Sequence, residues 1–143
     1  MRRAGSYRHE FVRSFPERLE DGVLYVSVEF GNTAHRCMCG CGSEVYARLS
    51  PGDWLMVYDG ETVSLDPSIG NWSFPCQSHY WLERGRVNWA AQWSREQIEQ
   101  GRALSRMRKA RHYDNQMGQK SSAHSTEFSK GTVGRLVDWL LGR

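Results

Sequence analysis

Four cysteines set the tightest limit on how this 143-residue chain can fold, because all of them fall in two short segments. The first is His35-Arg36-Cys37-Met38-Cys39-Gly40-Cys41-Gly42, and the second is Pro75-Cys76-Gln77-Ser78-His79. Four thiolates from two separated loops can close a tetrahedron around zinc, and a structural zinc site normally uses four Cys or His ligands with no open position. Cys37, Cys39, Cys41 and Cys76 are therefore the preferred ligands, and Zn2+ the expected cofactor. The spacing is closer than in zinc ribbons, which place two or more residues between paired ligands, so His35 or His79 can stand in for one cysteine. Disulfides are the competing reading of an even cysteine count. The first residues, Met1 to Arg8, lack the apolar core of a secretory signal, so an oxidising compartment is not implied and a cytoplasmic setting is expected.

A chain of this length makes one domain, with room for an appendage, and buries a modest core that a structural metal would help. The formal net charge of +3 makes no case for a specific nucleic-acid partner. Arg102, Arg106, Arg108, Lys109 and Arg111 form a local basic run that reads as a solvated helix face. No apolar run approaches the ~20 residues that span a bilayer.

Short strands dominate the first ninety residues. His9 to Val12 and Glu44 to Leu49 read as strands, and Val23 to Phe30, rich in β-branched and aromatic residues between Asp21-Gly22 and Gly31-Asn32, is the strongest. It is expected to run straight into the cysteine loop, where Gly40 and Gly42 suit backbone wrapped around a metal. Residues 54–58 and 61–65 flank Asp59-Gly60, a pair that favours a two-residue type I′ hairpin. Residues 66–75 are too rich in Pro and Gly for a regular element, and such loops often carry function. A second hairpin follows, residues 79–83 and 86–90 around Arg84-Gly85. Ser94-Arg95-Glu96-Gln97 is a capping box that starts a helix. The expected fold class is α+β, a small mainly antiparallel sheet with a structural zinc site and C-terminal helices. Residues 1–93 are expected to form the zinc-binding, β-rich catalytic domain and 94–113 a helix. Residues 114–143 read as a linker, then an amphipathic helix with Val133, Leu136, Val137, Leu140 and Leu141 at helical spacing.

Within this frame a serine mechanism is available. A serine hydroxyl becomes a nucleophile when a histidine takes its proton, and donors must then face the oxyanion. Ser68, His79 and Asn71 supply those parts; His35 is the competing base, and Asp66 or Glu10 the candidate acid that orients the imidazole. Set against this, Ser68 and Asn71 are also ordinary turn residues, and His79 is also a fourth ligand or a packed strand residue. Ser78 is a weaker nucleophile, because neighbouring strand residues point to opposite faces. A catalytic zinc held by His35, His79 and a cysteine, with Glu10 or Glu44 as base, is the metallopeptidase alternative.

His9-Glu10-Phe11-Val12, the segment from His35 to Gly42, Asp59 to Leu65, and above all Pro67-Ser68-Ile69-Gly70-Asn71-Trp72 with Cys76-Gln77-Ser78-His79-Tyr80-Trp81 resemble a small bacterial family. Its members are encoded beside ubiquitin-like conjugation genes for E1/E2-like proteins. The resemblance covers about residues 9–93. It implies a zinc-stabilised peptidase that matures or removes a ubiquitin-like modifier, with that protein and its conjugates as partners and the E1/E2-like proteins as further ones. It places the serine and histidine roles on Ser68 and His79, with His35 second. The rival from another class is a non-catalytic zinc module that binds the modifier or its ligase.

Overall fold

The computed structural model describes residues 2–140, with side chains described for residues 2–120. It is α+β: two four-stranded sheets followed by one helix. The first sheet has the order β1 (Arg8–Phe11), β2 (Val23–Ser27), β3 (Asn32–Arg36) and β4 (Glu44–Arg48); the second has β5 (Leu55–Tyr58), β6 (Val63–Gly70), β7 (His79–Glu83) and β8 (Arg86–Trp89). Every pairing is antiparallel except β1 with β2, which is parallel.

One apolar cluster joins the sheets. Leu24, Val26, Val45 and Ala47 from the first meet Val63, Leu65, Ile69, Tyr80, Leu82 and Val87 from the second, and the buried Cys37 and Met38 belong to the same cluster. Period-two alternation makes this possible: Val63 and Leu65 are buried where Ser64 is not, and Val45 and Ala47 are buried between exposed Glu44, Tyr46 and Arg48. The other face of the first sheet is covered by a smaller cluster, Leu19, Val23, Tyr25 and Ala34, with Val12 and Phe15 packed on it.

Local chemistry explains where the elements depart from expectation. The strand predicted over residues 23–30 ends at Ser27, whose hydroxyl donates to the Arg13 carbonyl and accepts the Phe30 amide, turning the chain at Gly31 into β3. Strand β3 therefore stands between β2 and the cysteines, where none was expected. The β5–β6 connection is wider than a two-residue hairpin. Tyr58 pairs with Val63, and the Asp59 carboxylate accepts the Glu61 and Thr62 amides and the Thr62 hydroxyl, an Asx-type turn. The β7–β8 hairpin is a two-residue turn, Glu83 pairing with Arg86 and both Arg84 and Gly85 at positive φ, as type I′ requires.

The chain divides into two compact units, Met1–Ala103 and Leu104–Arg143. Helix α1 (Arg95–Leu140) opens on the expected capping box: the Ser94 amide donates to Gln97 Oε1 at 2.8 Å and the Gln97 amide to Ser94 Oγ at 3.2 Å. Where a linker was expected from residue 114, the backbone stays helical. The stretch contains no proline, and Gln, Met and Lys are good helix formers, so nothing in it breaks the ladder. In the second unit Leu104, Met107, Tyr113 and Met117 are exposed, as are the basic residues 106, 108, 109 and 111. The side chains of the proposed terminal amphipathic stripe lie outside the described residues.

Candidate active site and metal centre

Two candidate clusters flank the turn that carries Cys76 to His79. On one side the four sulfurs of Cys37, Cys39, Cys41 and Cys76 lie within 4.8 Å of one another and could hold a metal ion. Cys37 Sγ is 3.4 Å from Cys39 Sγ and 3.9 Å from Cys76 Sγ, and Cys41 Sγ is 3.8 Å from Cys76 Sγ. These separations exceed a disulfide bond, about 2.05 Å, and approach the edge of a tetrahedron with metal–sulfur bonds of about 2.3 Å. All four cysteines are free.

The turn is built for this job. Gly40 and Gly42 both have positive φ, which lets the chain fold back between ligands two residues apart, and the Cys41 amide donates to Cys39 Sγ at 3.3 Å. Ser78 Oγ lies 3.0 Å from Cys37 Sγ and 3.5 Å from Cys76 Sγ, and accepts from Asn71 Nδ2 at 2.9 Å. Asn71 Nδ2 also reaches Cys37 Sγ at 3.6 Å. Burial pushes the Cys37 and Cys39 thiols up, whereas a hydrogen bond from the Ser43 hydroxyl leads in lowering Cys41 to about 6. Holding these two as thiolates needs a compensating cation, which a metal would supply.

On the other side, His79 Nε2 sits 2.9 Å from Ser68 Oγ. Ser68 was read as part of a loop; it lies instead on β6, which runs through Pro67 to Gly70 with a register shift between Leu65 and Ile69. Gly70 pairs with His79 across the ladder, so the two strands set serine and histidine side by side. Ile69 and Tyr80 point into the core, and Ser68 and His79 stand on the sheet's outer face. Ser78 and His79 point opposite ways, the first to the sulfurs and the second to Ser68.

Tryptophans surround the imidazole. Trp72 and Trp93 meet it edge-on at centroid distances of 4.9 and 4.8 Å, Trp81 lies at 5.3 Å, and Trp72 stacks on Trp93 at 5.4 Å. Glycines make room for them: a Cβ at Gly70 would lie 2.5 Å from the Trp72 indole nitrogen, and one at Gly101 would lie 2.8 Å from Trp93. This covering leaves His79 only 3% exposed, and burial lowers its pKa, partly offset by the Ala91 backbone. His79 Nδ1 has no hydrogen bond of normal geometry, so neither Asp66 nor Glu10 orients the ring.

The other candidates lie elsewhere. His35 is wholly buried, its Nε2 2.8 Å from the Tyr80 hydroxyl, and burial drops its pKa to about 3. It is bonded to Tyr80, not to Ser68. Asn71, expected as an oxyanion donor, spends its amide on Ser78, Cys37 and Tyr80, because a buried amide is held by whatever acceptors surround it. Neither histidine joins the sulfur cluster. Sequence reasoning missed the tryptophan enclosure; the density of Trp72, Trp81 and Trp93 about the second cysteine segment was its one visible trace.

The family described as bacterial ubiquitination-like system serine protease (BubE) matches residues 11–90, more than half of the chain. The chain belongs to this family. No curated protein and no solved structure matches it.

Proposed function

We propose, from membership of a serine protease family together with the 2.9 Å bond between Ser68 and His79, that this protein hydrolyses an acyl bond at the C-terminus of a ubiquitin-like modifier. Ser68 is the nucleophile and His79 the general base. Ser68 Oγ attacks the carbonyl carbon as its proton passes to His79 Nε2. His79 then gives that proton to the departing amine, and water repeats the sequence on the acyl-enzyme. For Nε2 to accept, the ring proton must sit on Nδ1. The ring is held by its packing among Trp72, Trp81 and Trp93 rather than by a carboxylate. The low pKa keeps the imidazole neutral near pH 7, the form a base needs.

Cys37, Cys39, Cys41 and Cys76 would hold a structural zinc. Bound there, the ion would tie the two cysteine segments together and contribute to folding. Ser78 and Asn71 support the sulfurs and so position the turn that carries His79. Ubiquitin-like protein, its conjugates and the E1/E2-like proteins are the partners this reading names, in the cytoplasm. A metallopeptidase draws no support from this arrangement, since neither histidine approaches the sulfurs.

The experiment compares cleavage of a ubiquitin-like precursor by the native chain and by Ser68→Ala, with bound zinc quantified in both. Loss of cleavage with zinc retained is the expected result. Cleavage that survives in Ser68→Ala would overturn the serine assignment, and binding of the modifier without cleavage by either chain would make this a binding module.

A further inference from the structure

Over residues 69–70 strand β6 is paired along one edge, toward β7, beyond the register shift between Leu65 and Ile69, and is bare along the other. Toward β7 the pairs Ile69 with Tyr80 and Gly70 with His79 continue to Asn71, whose amide donates to the Ser78 carbonyl at 2.9 Å. Toward β5 the pairing stops at Leu55 with Asp66. One residue earlier the chain has already left, because the Trp54 amide donates to the Arg48 carbonyl at 3.1 Å and Trp54 bridges Leu49. Among the described residues no strand pairs with this edge of β6 over residues 67–70.

The ladder tells which groups face out. Hydrogen-bonded and non-bonded pairs alternate along antiparallel strands. Since Asn71 bonds across to Ser78, the pair Gly70 and His79 is the non-bonded one, and the N–H and C=O of Gly70 point from the bare edge. Strand β4 ends the other sheet, and Val45 and Tyr46 border the same space. Between them lies a cavity of about 360 Å³ walled by Val45, Tyr46, Trp54, Ile69, Gly70 and Phe74. Two residues from the nucleophile, the fold thus offers backbone donor and acceptor on one wall and apolar side chains beneath.

The geometry points to a substrate cleft at this edge: an extended polypeptide segment lies along residues 67–70, pairs with Gly70, and lowers one apolar side chain into the cavity between β4 and β6. This rests on the Ser68 reading and specifies what that site recognises. Strand addition takes affinity from main-chain bonds and specificity from pockets for alternate side chains. The alternation fits here, since Ile69 faces inward while Ser68 and Gly70 face outward. In the added strand one side chain enters the cavity and its neighbours lie on the face where Ser68 and His79 stand. A helical segment cannot take this place, because its own N–H and C=O groups are already paired.

The probes are tetrapeptide coumarylamides, all-alanine or with one leucine at each position in turn. They are used with the full chain and with Val45→Phe, which fills the cavity without touching a reacting group. Leucine at one position raises kcat/KM about ten- to a hundredfold over alanine, and Val45→Phe erases that ratio. The same peptides, dye-labelled, bound to Ser68→Ala and followed by anisotropy, show the same preference without catalysis. If Val45→Phe does not fold, Tyr46→Ala on the exposed side of β4 enlarges the cavity and moves the preference from leucine to phenylalanine. The cleft is overturned when no position separates leucine from alanine in binding, or when the cavity variants leave the preference intact. Binding with the preference but no hydrolysis would overturn the serine reading and keep the cleft; hydrolysis without it would do the reverse.

Discussion

The two buried histidines make nearly the same bond in two different places. His35 Nε2 lies 2.8 Å from the Tyr80 hydroxyl between the sheets, and His79 Nε2 lies 2.9 Å from the Ser68 hydroxyl on the outer face of the second sheet. In both, Nδ1 lacks a hydrogen-bond partner. The difference is what else the oxygen does. The Tyr80 oxygen also accepts from the Met38 amide and from Asn71 Nδ2, each at 3.4 Å, so its proton is left for His35 and the pair is closed on itself. Ser68 stands beside an unpaired strand edge. A histidine–hydroxyl bond is thus a structural brace in one setting and a candidate catalytic pair in the other, and surroundings rather than distance decide between them.

The largest expected effect removes both pairs together. Cys76→Ala takes a proposed ligand from the cluster that adjoins His35 through Cys37 and His79 through the turn, so bound zinc, cooperative thermal unfolding and hydrolysis should vanish jointly. Metal content and a calorimetric scan on one sample check this; a variant that keeps its metal and its transition would uncouple the two sites. Next, His79→Ala should lower kcat/KM per folded molecule by about 10⁴-fold, over and above the stability lost with its packing among the tryptophans. His35→Ala should cost stability alone, about 3 kcal/mol because it leaves a cavity and an unsatisfied Tyr80 hydroxyl, while kcat per folded molecule stays within about tenfold. Kinetics paired with urea unfolding separate the two outcomes, and equal kinetic damage from both would erase the distinction.

A third effect is read in the pH profile. His79 serves as base only when neutral, and its pKa is lowered by burial, so kcat/KM should hold level as pH falls through the ordinary imidazole value of about 6.5. Below the depressed pKa it should drop about tenfold per pH unit. A fall already complete at pH 6.5 would mean the tryptophan enclosure does not shield the ring. The smallest effect compares the hydroxyls. Tyr80→Phe should cost about 1–3 kcal/mol of stability with turnover unchanged, whereas Ser68→Ala should leave stability within about 0.5 kcal/mol.

Much of this arrangement was readable in the chain, because it is written in local chemistry. The Ser94 and Gln97 capping box, the Arg84-Gly85 turn and the cysteine grouping each follow from a few adjacent residues. Ser68 and His79 could be named as parts of one mechanism, but which histidine faces Ser68, His79 or His35, was not legible. What escaped was set by tertiary context. Strand β3, Asn-Thr-Ala-His-Arg, has little β-propensity and is a strand because β2 and β4 hold it on both sides. Pro67 marked a loop by every local rule, yet it lies in a half of β6 whose outer edge needs no donor. Asn71 looked free to face an oxyanion, and only packing shows it claimed by Ser78, Tyr80 and the Cys37 sulfur.

The three-residue step from Cys76 to His79 carries one more consequence. The side chain proposed to arm the nucleophile opens β7 three residues after a proposed metal ligand, with Ser78 between them bonded to the sulfurs. A newly synthesised chain would then remain harmless until it has acquired its ion, and a cell short of that ion would hold the protein as an unarmed reserve. Supply of a nutrient, rather than removal of an inhibitory segment, would set when hydrolysis begins.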